Sequence, residues 1–541
     1  MIGAADRTCP RWLARAALAA LAIYTFLAFY NAFLAQVEKD EGFYNLAFRL
    51  VAQGILPYRD FYYLESPGLP YYYAFLLKGC GITMLSVRLL STLTGLAGLL
   101  VLVGCAARAG GRLGAALAAL LLFSNAAQAE YFAIDVTYPL ITLLLALAIA
   151  VELSSWPMAR KMALQGILLV LAGAAKASIG LVAVIWLGGL LWKRRQDRRA
   201  VAWGVLAFLA TLLASVGPLF LADPKAFIFD VITTPTQRGR LFAFMHKADP
   251  LDQFLEFGWG QKVEALRTIL LWHVPALVLA FLGWPLRPPK AVRSPGVLGE
   301  ASLPITASLV VGALFHFLVP FPCYPNYLFL LLPTLTLVIA LRYTRSLDAS
   351  DRGIGAIRTL GLPVLLCALH LLAGLDLSKI GLEVGTWRNG PQREMARVTA
   401  EVVPPDGWLF TDYLPLAIDA NRRVVPGNEG GRHSVMPDLP DDLAREFHVL
   451  NRKSYVQLVL SGRADGIALT QQLTDQSIGS VPGFLEEIEA ALQQRYDLVK
   501  EFPAGPYFRY GRMRIFKRRS PAADAIRLES DPETATALLA P

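Results

Sequence analysis

The chain has 541 residues, of which 55% are hydrophobic and 17% are charged, and its mean hydropathy is +0.46. Because soluble proteins carry about 25% charged residues, this composition excludes a soluble enzyme, a disordered chain and a secreted disulfide scaffold. The 51 Lys and Arg exceed the 42 Asp and Glu by a net charge of +9, an excess typical of the cytoplasmic loops of a polytopic membrane protein rather than of nucleic-acid binding.

Apolar stretches of about 20 residues, the length that crosses a bilayer, predict about eleven transmembrane helices. The first of these stretches is similar to a signal peptide. We expect a retained helix, because no convincing small-residue cleavage site precedes Val37 and many further spans follow. The five cysteines show no paired or metal-binding spacing. The predicted spans centre near Ile23, Gly95, Leu120, Leu143, Leu169, Ile185, Leu209, Leu277, Val310, Leu332 and Leu366.

Basic residues divide the short loops into two classes. One class contains Arg160-Lys161 and the basic run 193–199, whereas the opposite turns, near Glu130 and Pro322, contain no Lys or Arg. The positive-inside rule then predicts a cytoplasmic N-terminus and a C-terminus on the other side. The expected location is the bacterial inner (plasma) membrane, with a multi-pass chain and a periplasmic C-terminal domain.

Three segments fall on the predicted outer side. Residues 37–83 and 223–262 mix aromatic and charged residues, which is typical of short helices lying along a membrane surface. The third segment lacks long apolar runs and predicts a soluble α/β domain. We therefore divide the chain into a membrane-embedded domain at 1–375, a periplasmic α/β domain at 376–519 and a flexible tail at 520–541.

Local patterns predict the elements of the periplasmic domain. They are strands at Trp408–Thr411 and Gly466–Leu469, helices over 443–460 and 483–496, and a closing hairpin of Tyr507–Tyr510 with Met513–Phe516 around Gly511.

Carboxylates and aromatic rings are densest in the first outer loop. The runs are Glu38-Lys39-Asp40-Glu41-Gly42-Phe43-Tyr44, Pro57-Tyr58-Arg59-Asp60-Phe61 and Glu65-Ser66-Pro67-Gly68. Adjacent carboxylates on a helix point to different faces, so Asp40 and Glu41 do not form a simple pair. Apolar neighbours at a membrane boundary raise a carboxyl pKa, which suits a general base. A solvated juxtamembrane loop is the alternative interpretation.

These runs resemble the motifs of the GT-C superfamily, and more closely its bacterial branch related to protein O-mannosyltransferases and lipid A aminoarabinose transferases. The resemblance covers about residues 10–375. It implies an integral membrane glycosyltransferase that takes a sugar from a polyprenyl-phosphate donor. It also implies that Asp40 is the catalytic base, that its neighbour Glu41 is a second catalytic residue, and that Tyr44 of the same Asp-Glu-Gly-x-Tyr motif contacts the substrate.

Further residues match the family's pattern. Glu65 matches a Glu-x-Pro position, but Ser66 stands where lipid A transferases of this type usually have Lys, which argues against an aminoarabinose transferase. Glu130 and Asp135 match an acidic site in the second outer turn. Lys176 matches a lysine at the junction of two membrane helices, where a charge is costly unless it pairs or reaches the interface.

Two other segments are candidates for substrate contact. Tyr327 lies in Tyr324-Pro325-Asn326-Tyr327-Leu328, which resembles the family's Arg/His-Tyr-x-Leu-Pro segment with Asn326 in place of the basic residue. Arg238 and Arg240 in the second outer loop suit the donor phosphate, because a guanidinium holds two oxygens at once. Contact with anionic lipid head groups is an equal alternative for these arginines.

Arg59 and Asp60 complete the candidate set: Arg59 is placed to orient Asp60 or the sugar. No cofactor is firmly predicted; some relatives use a divalent cation and others do not, so an ion between Asp40 and Glu130 or Asp135 stays open. His273, His316, His370, His433 and His448 show no metal-ligand spacing and are interpreted as structural.

The expected reaction is an inverting transfer of a sugar to an envelope lipid, polysaccharide or protein. No phosphate-cradling Gly-rich loop opens a helix after a strand, so a nucleotide-sugar donor is not expected, and neither is a nucleic-acid partner. A transporter or flippase of a lipid-linked sugar is the main alternative, but it predicts internal repeats and charges at mid-membrane depth. A non-catalytic scaffold is the third, and it gives no reason for clustered carboxylates.

Overall fold

The computed structural model describes residues 9–134, 137–235, 260–283, 302–319, 324–349, 355–374 and 389–519, the last range without 473, 475–477, 479–480, 506–507 and 509. The part before residue 375 is helical. Its α-helices are α1 Arg11–Leu34, α2 Lys39–Ala52, α3 Gly68–Leu77, α4 Met84–Phe123, α5 Ala126–Ile134, α6 Thr137–Leu153, α7 Met158–Ala175, α8 Ile179–Lys193, α9 Arg198–Ser215, α10 Gly217–Ala222, α11 Pro224–Ile228, α12 Gln261–Trp272, α13 Val274–Gly283, α14 Ser302–Leu318, α15 Leu332–Ala349 and α16 Gly355–Gly374.

Two short helices of other types occur in this part. A π-helix, Phe229–Thr233, follows α11, and a 3₁₀ helix, Pro325–Leu330, precedes α15. The first outer loop therefore contains the helices α2 and α3, as its mixed aromatic and charged sequence predicts. Most of the predicted second outer segment, residues 236–259, lies outside the described residues.

Every predicted span centre falls within a helix, although the number of spans stays a prediction. By length and composition, four of the described helices are able to cross a membrane, or six when each of two sharply bent pairs is one span. The remaining predicted spans coincide with apolar helices of 10–17 residues. The 40-residue helix α4 contains two predicted centres, and it is broken at Gly111 (φ +64°, ψ −161°), a conformation that glycine adopts without a steric penalty.

A buried polar cluster joins α6, α7 and α8 at the ends that are predicted to be cytoplasmic. Arg194 forms an ion pair with Glu152, and Lys161 Nζ donates to the carbonyl oxygen of Glu152 at 2.9 Å. Gln165 Nε2 donates to the carbonyl oxygen of Ala148 at 2.9 Å. A charge in this position is tolerated because it is paired and hydrogen-bonded.

The C-terminal part forms a five-stranded sheet with helices. Its elements are α17 Gly390–Val402, β1 Trp408–Thr411, α18 Pro415–Asp419, β2 Arg423–Val424, α19 Asp441–Glu446, α20 Arg452–Leu460, β3 Gly466–Thr470, α21 Phe484–Arg495, β4 Tyr496–Phe502 and β5 Met513–Arg518. The strand order is β2-β1-β3-β5-β4, with β2, β1 and β3 parallel and β5 antiparallel to both of its neighbours. The domain limits 376–519 stay a prediction, since residues 375–388 lie outside the described residues.

Two predicted elements of this part are wrong. The helix predicted over 443–460 is two helices, α19 and α20, because the chain turns at His448, which has a positive φ of 53°. The pairing predicted for the hairpin is wrong for Met513–Phe516, because β5 is hydrogen-bonded along one edge to β3 and along the other to β4; Tyr507 and Arg509 of the predicted partner run lie outside the described residues. Phe508 instead makes an isolated bridge to Gly505. The hairpin was predicted because two strand-like runs are adjacent in the sequence. The sequence does not show that β4 occupies the edge of β5 that such a hairpin would need.

The C-terminal part packs directly on α2. Gly42 is required at this contact because a Cβ there would lie 2.1 Å from the backbone nitrogen of Pro415 in α18. Two turns further on, Arg49 Nη2 donates to the carbonyl oxygen of Ile418 at 2.9 Å. The hydroxyl of Tyr413 donates to the carbonyl oxygen of Val37 at 3.3 Å. The glycine of the Asp-Glu-Gly motif therefore has a packing function.

We expect Gly42→Ala to lower the free energy of unfolding by about 1–3 kcal/mol, the usual cost of forcing a methyl group into a closed contact. Gly79→Ala is the matched control, because no heavy atom lies within 4 Å of a Cβ at that position. Thermal unfolding and limited proteolysis of both variants in detergent measure the difference. Equal unfolding temperatures for the two variants would contradict the contact between Gly42 and Pro415.

Candidate active site

Helix α2 carries the central residues of the site in its first turns. The helix begins after Glu38, whose backbone N–H donates to Glu41 Oε1 at 2.7 Å and thereby satisfies a free donor at the helix end. Asp40 and Glu41 lie in the first turn, where the helix dipole favours negative charge. As the sequence predicts, the two side chains point to different partners.

Glu41 is a buried carboxylate that is held by one arginine of α4. Arg88 Nε donates to Oε2 at 2.6 Å and Arg88 Nη2 donates to Oε1 at 2.7 Å, and both side chains are less than 5% exposed. Arg88 also donates to the carbonyl oxygens of Ala35 and Gln36, at 3.0 and 3.2 Å. This two-pronged pair fixes α2 against α4 and the end of α1.

Asp40 faces the C-terminal part instead. Its Oδ1 lies 3.2 Å from His433 Nε2, and its side chain is 53% exposed, whereas that of His433 is 12% exposed. Partial desolvation favours the neutral form of Asp40. The hydrogen bond and charge of His433, with the charges of Lys39 and Arg432, outweigh it and hold the pKa of Asp40 well below its usual range. The raised pKa that the sequence predicts for this loop is therefore wrong for Asp40.

Four of the predicted residues come together in a second cluster. Lys176 Nζ forms an ion pair with Glu65 Oε1 at 3.0 Å, and the hydroxyl of Tyr44 donates to the same oxygen at 3.4 Å. The ammonium group also lies 5.9 Å from the centre of the Tyr327 ring, a cation–π distance. Residues 111 positions apart in the chain thus form one partly exposed charged group.

Close backbone packing brings this cluster together. A Cβ at Gly68 would lie 2.7 Å from the carbonyl oxygen of Ala174, so glycine lets the start of α3 rest against the end of α7. Lys176 follows as the C-cap of α7 in an extended conformation. The hydroxyl of Tyr58 donates to the carbonyl oxygen of Glu65 at 2.7 Å and fixes the loop from the other side.

Helix α2 connects the two clusters. Asp40 and Tyr44 are four residues apart, so they lie on the same face, with Cβ atoms about 5–6 Å apart. Tyr44 contacts Glu65, which contacts Lys176. The arrangement links an ionised carboxylate to a lysine through Tyr44, one helical turn further along α2, and through Glu65.

The other predicted residues have local or separate partners. Arg59 donates to both oxygens of Asp60 at 2.8 Å, and Asp60 Oδ2 accepts from the backbone N–H of Leu56, so this pair closes an exposed turn. Glu130 lies half-buried on α5, next to Tyr131, whose ring packs on other aromatic rings. Asp135, Arg238 and Arg240 lie outside the described residues.

Among the residues that the structure describes, no group of three or more His, Cys, Asp or Glu side chains is arranged to hold a metal ion. The divalent ion that the sequence leaves open would involve Asp40 with Glu130 or Asp135, and Asp135 is not among those residues. No reaction step is therefore derived through a metal.

Three contacts of the site have no signal in the sequence. His433 lies 393 positions from Asp40, and Arg88 lies 47 positions from Glu41. His316 Nε2 lies 2.8 Å from Ser178 Oγ, two residues beyond Lys176. His433, Arg88 and His316 lie in no recognisable motif, so only the fold shows which side chains they contact.

No family model matches the sequence, and no curated protein matches it. Solved structures match along almost the whole chain, and the chain shares the fold of the ArnT structures among them.

The matched structures include ArnT from Cupriavidus metallidurans bound to undecaprenyl phosphate, with a TM-score of 0.58, 15% identity, and coverage of 93% of this chain and 98% of that chain. ArnT in the apo state matches with a TM-score of 0.58, 15% identity and coverage of 92% and 97%. Arabinofuranosyltransferase AftD from Mycobacteria matches with a TM-score of 0.46, 16% identity and coverage of 96% of this chain and 40% of that chain. Identities of this size show a shared fold alone.

Proposed function

We propose that this protein is an integral membrane glycosyltransferase that moves a sugar from a polyprenyl-phosphate-linked donor to an envelope lipid, polysaccharide or protein. The observation that carries the proposal is the ionised Asp40 on the same helix face as Tyr44, which contacts the Glu65–Lys176 pair, within a GT-C fold. The ArnT structure with undecaprenyl phosphate supports this donor class. The positive-inside pattern supports a periplasmic site in the bacterial inner membrane.

In the proposed reaction, the acceptor hydroxyl attacks the anomeric carbon of the donor sugar while Asp40 accepts the hydroxyl proton. The new glycosidic bond forms as the bond between that carbon and the phosphate oxygen breaks. The polyprenyl phosphate leaves with the electron pair, and the anomeric configuration inverts. Lys176 balances the charge that develops on the leaving phosphate.

The remaining residues have supporting roles in this proposal. Glu41 positions α2, because Arg88 and the backbone N–H of Glu38 engage its two oxygens. Tyr44 and Tyr327 flank the Glu65–Lys176 pair, where an aromatic face suits a sugar ring. Arg59–Asp60, Glu130, Asp135, Arg238 and Arg240 stay predicted substrate contacts.

We expect Lys176→Gln to raise the KM for the polyprenyl-phosphate donor about 10-fold or more, because the phosphate loses a charge-assisted hydrogen bond. Lys225→Gln is the matched control, since Lys225 is a highly exposed lysine that pairs only with Glu446 among the described residues. Binding of undecaprenyl phosphate to detergent-solubilised protein, followed by thermal shift, gives a second readout. Unchanged KM and unchanged binding in Lys176→Gln would remove Lys176 from the donor site.

A transporter or flippase of a lipid-linked sugar is the second candidate, and its support is limited to the multi-spanning architecture. Deletion of either one removes a hexose- or pentose-sized mass from an envelope component, so mass spectra of envelope lipids and glycans identify the glycan that depends on this protein. Activity of the purified protein then separates the two. Purified transferase moves the sugar in detergent, where a flippase has no membrane across which to act.

A further inference from the structure

His433 is held at the carboxyl edge of the parallel strands. It belongs to a 3₁₀ turn, Gly431–Ser434, and a Cβ at Gly431 would lie 3.3 Å from the carbonyl oxygen of Asp412, the residue after β1. Ser434 is buried, and its backbone carbonyl accepts a hydrogen bond from the N–H of Leu450 at 2.7 Å. Side chains that follow parallel strands converge at this edge of a sheet, and here the edge is turned towards α2.

The C-terminal part is fixed to α2 by contacts on both sides of Asp40, one from Tyr510 and one from His433. The backbone N–H of Lys39 donates to the hydroxyl of Tyr510 at 2.9 Å, and that hydroxyl donates to Glu38 Oε2 at 2.9 Å. The imidazole of His433 meets the ring of Phe43 edge-on, with ring centres 5.7 Å apart. These contacts on either side of Asp40 restrain relative motion of α2 and the C-terminal part, while the Asp40 side chain stays half exposed.

Within the described part of the chain, the contact with His433 engages one of the two oxygens of Asp40. His433 Nε2 lies 3.2 Å from Oδ1, and no other residue that the structure describes forms a hydrogen bond to Oδ2. An Nε2–H group that donates to Oδ1 directs Oδ2 away from the imidazole. In a Ser-His-Asp triad the carboxylate orients the histidine; here the imidazole orients a carboxylate that is itself the proton acceptor.

Resting on the proposed function, we propose that His433 is a positioning residue of the transfer reaction. Through its hydrogen bond it fixes the rotamer of Asp40, so that Oδ2 faces the acceptor hydroxyl. The C-terminal part is then a component of the catalytic site. The charged and titratable groups that surround the His433–Asp40 contact are Glu38, Lys39, Glu41, Arg432 and Tyr510.

The test compares two substitutions of His433 in the full-length protein. His433→Leu removes the hydrogen bond, and we expect kcat to fall about 10- to 100-fold with little change in the donor KM, because a small displacement of a catalytic group has an effect of this size. His433→Gln restores a side-chain N–H without a charge, and we expect it to recover most of kcat. Lys453→Gln, an exposed residue of α20 that pairs with Asp441, is the control.

The pH dependence of kcat gives a readout that a purely structural role would not change. The hydrogen bond and the charge of His433 lower the pKa of Asp40, so replacing the imidazole by an amide in His433→Gln raises that pKa. The acid limb of the kcat profile therefore moves to higher pH in His433→Gln, relative to the wild type and Lys453→Gln. The unfolding temperature of each variant identifies any loss of folded protein.

The outcomes separate this inference from the function on which it rests. If Asp40→Asn is inactive but both His433 variants keep the wild-type kcat and acid limb, the positioning role is wrong and the transferase proposal stands. If His433→Leu and His433→Gln lose activity equally, the hydrogen bond is not the cause and the inference is also overturned. If Asp40→Asn transfers sugar at the wild-type rate, both proposals are wrong.

Discussion

Asp40→Asn is expected to lower the rate of sugar transfer by about 10²- to 10⁴-fold, the usual contribution of a positioned general base. The amide has nearly the same shape as the carboxylate and accepts the hydrogen bond from His433, but it does not take a proton. In cells that lack the wild-type protein, the variant should not restore the sugar mass to the envelope component. Mass spectra of envelope lipids and glycans, with immunodetection of the protein in the membrane, measure the result.

Asp497→Asn is the control for this substitution. Asp497 lies on the edge strand β4, is 65% exposed and pairs with Arg519, so the same change of charge occurs away from α2. We expect this variant to restore the glycan fully. Restoration by Asp40→Asn as well would remove Asp40 from catalysis. If the deletion itself changes no glycan, scaffolding becomes the better account.

Arg88→Ala is expected to lower the free energy of unfolding by about 3–5 kcal/mol, because it leaves the Glu41 carboxylate buried without its partner. The substitution also removes the donors to the carbonyl oxygens of Ala35 and Gln36, where α1 ends. The double variant Glu41→Gln/Arg88→Met should recover much of the stability, since it leaves no unpaired buried charge. Thermal unfolding in detergent measures both changes.

Arg397→Ala is the matched control for this prediction. Arg397 of α17 pairs with Glu394 and Glu401, but all three side chains are largely exposed, and exposed pairs contribute little. We expect no measurable change in its unfolding temperature. An equally small change in Arg88→Ala would mean that the pair with Glu41 does not stabilise α2, and the positioning role of Glu41 would then be lost.

Composition and local pattern were sufficient for the helical architecture and for part of the site. Each span centre predicted from an apolar run lies in a helix of the structure. Apolar runs are reliable in this respect because a long apolar segment leaves water wherever it lies in the chain. The strands Trp408–Thr411 and Gly466–Thr470 also followed from their own residues. The motif residues Tyr44, Glu65, Lys176 and Tyr327 were predicted separately, and they lie together.

Tertiary structure alone decided what these residues contact. The sequence predicts carboxylates at a membrane boundary, yet it does not show that Glu41 meets Arg88 or that Asp40 meets His433. The pKa of Asp40 is lowered because a distant imidazole reaches it, against the local expectation. The same holds for β5, whose pairing with β3 and β4 differs from the predicted hairpin. Local sequence determines which segments leave water and which bend, whereas pairings across hundreds of residues depend on how the folded segments pack.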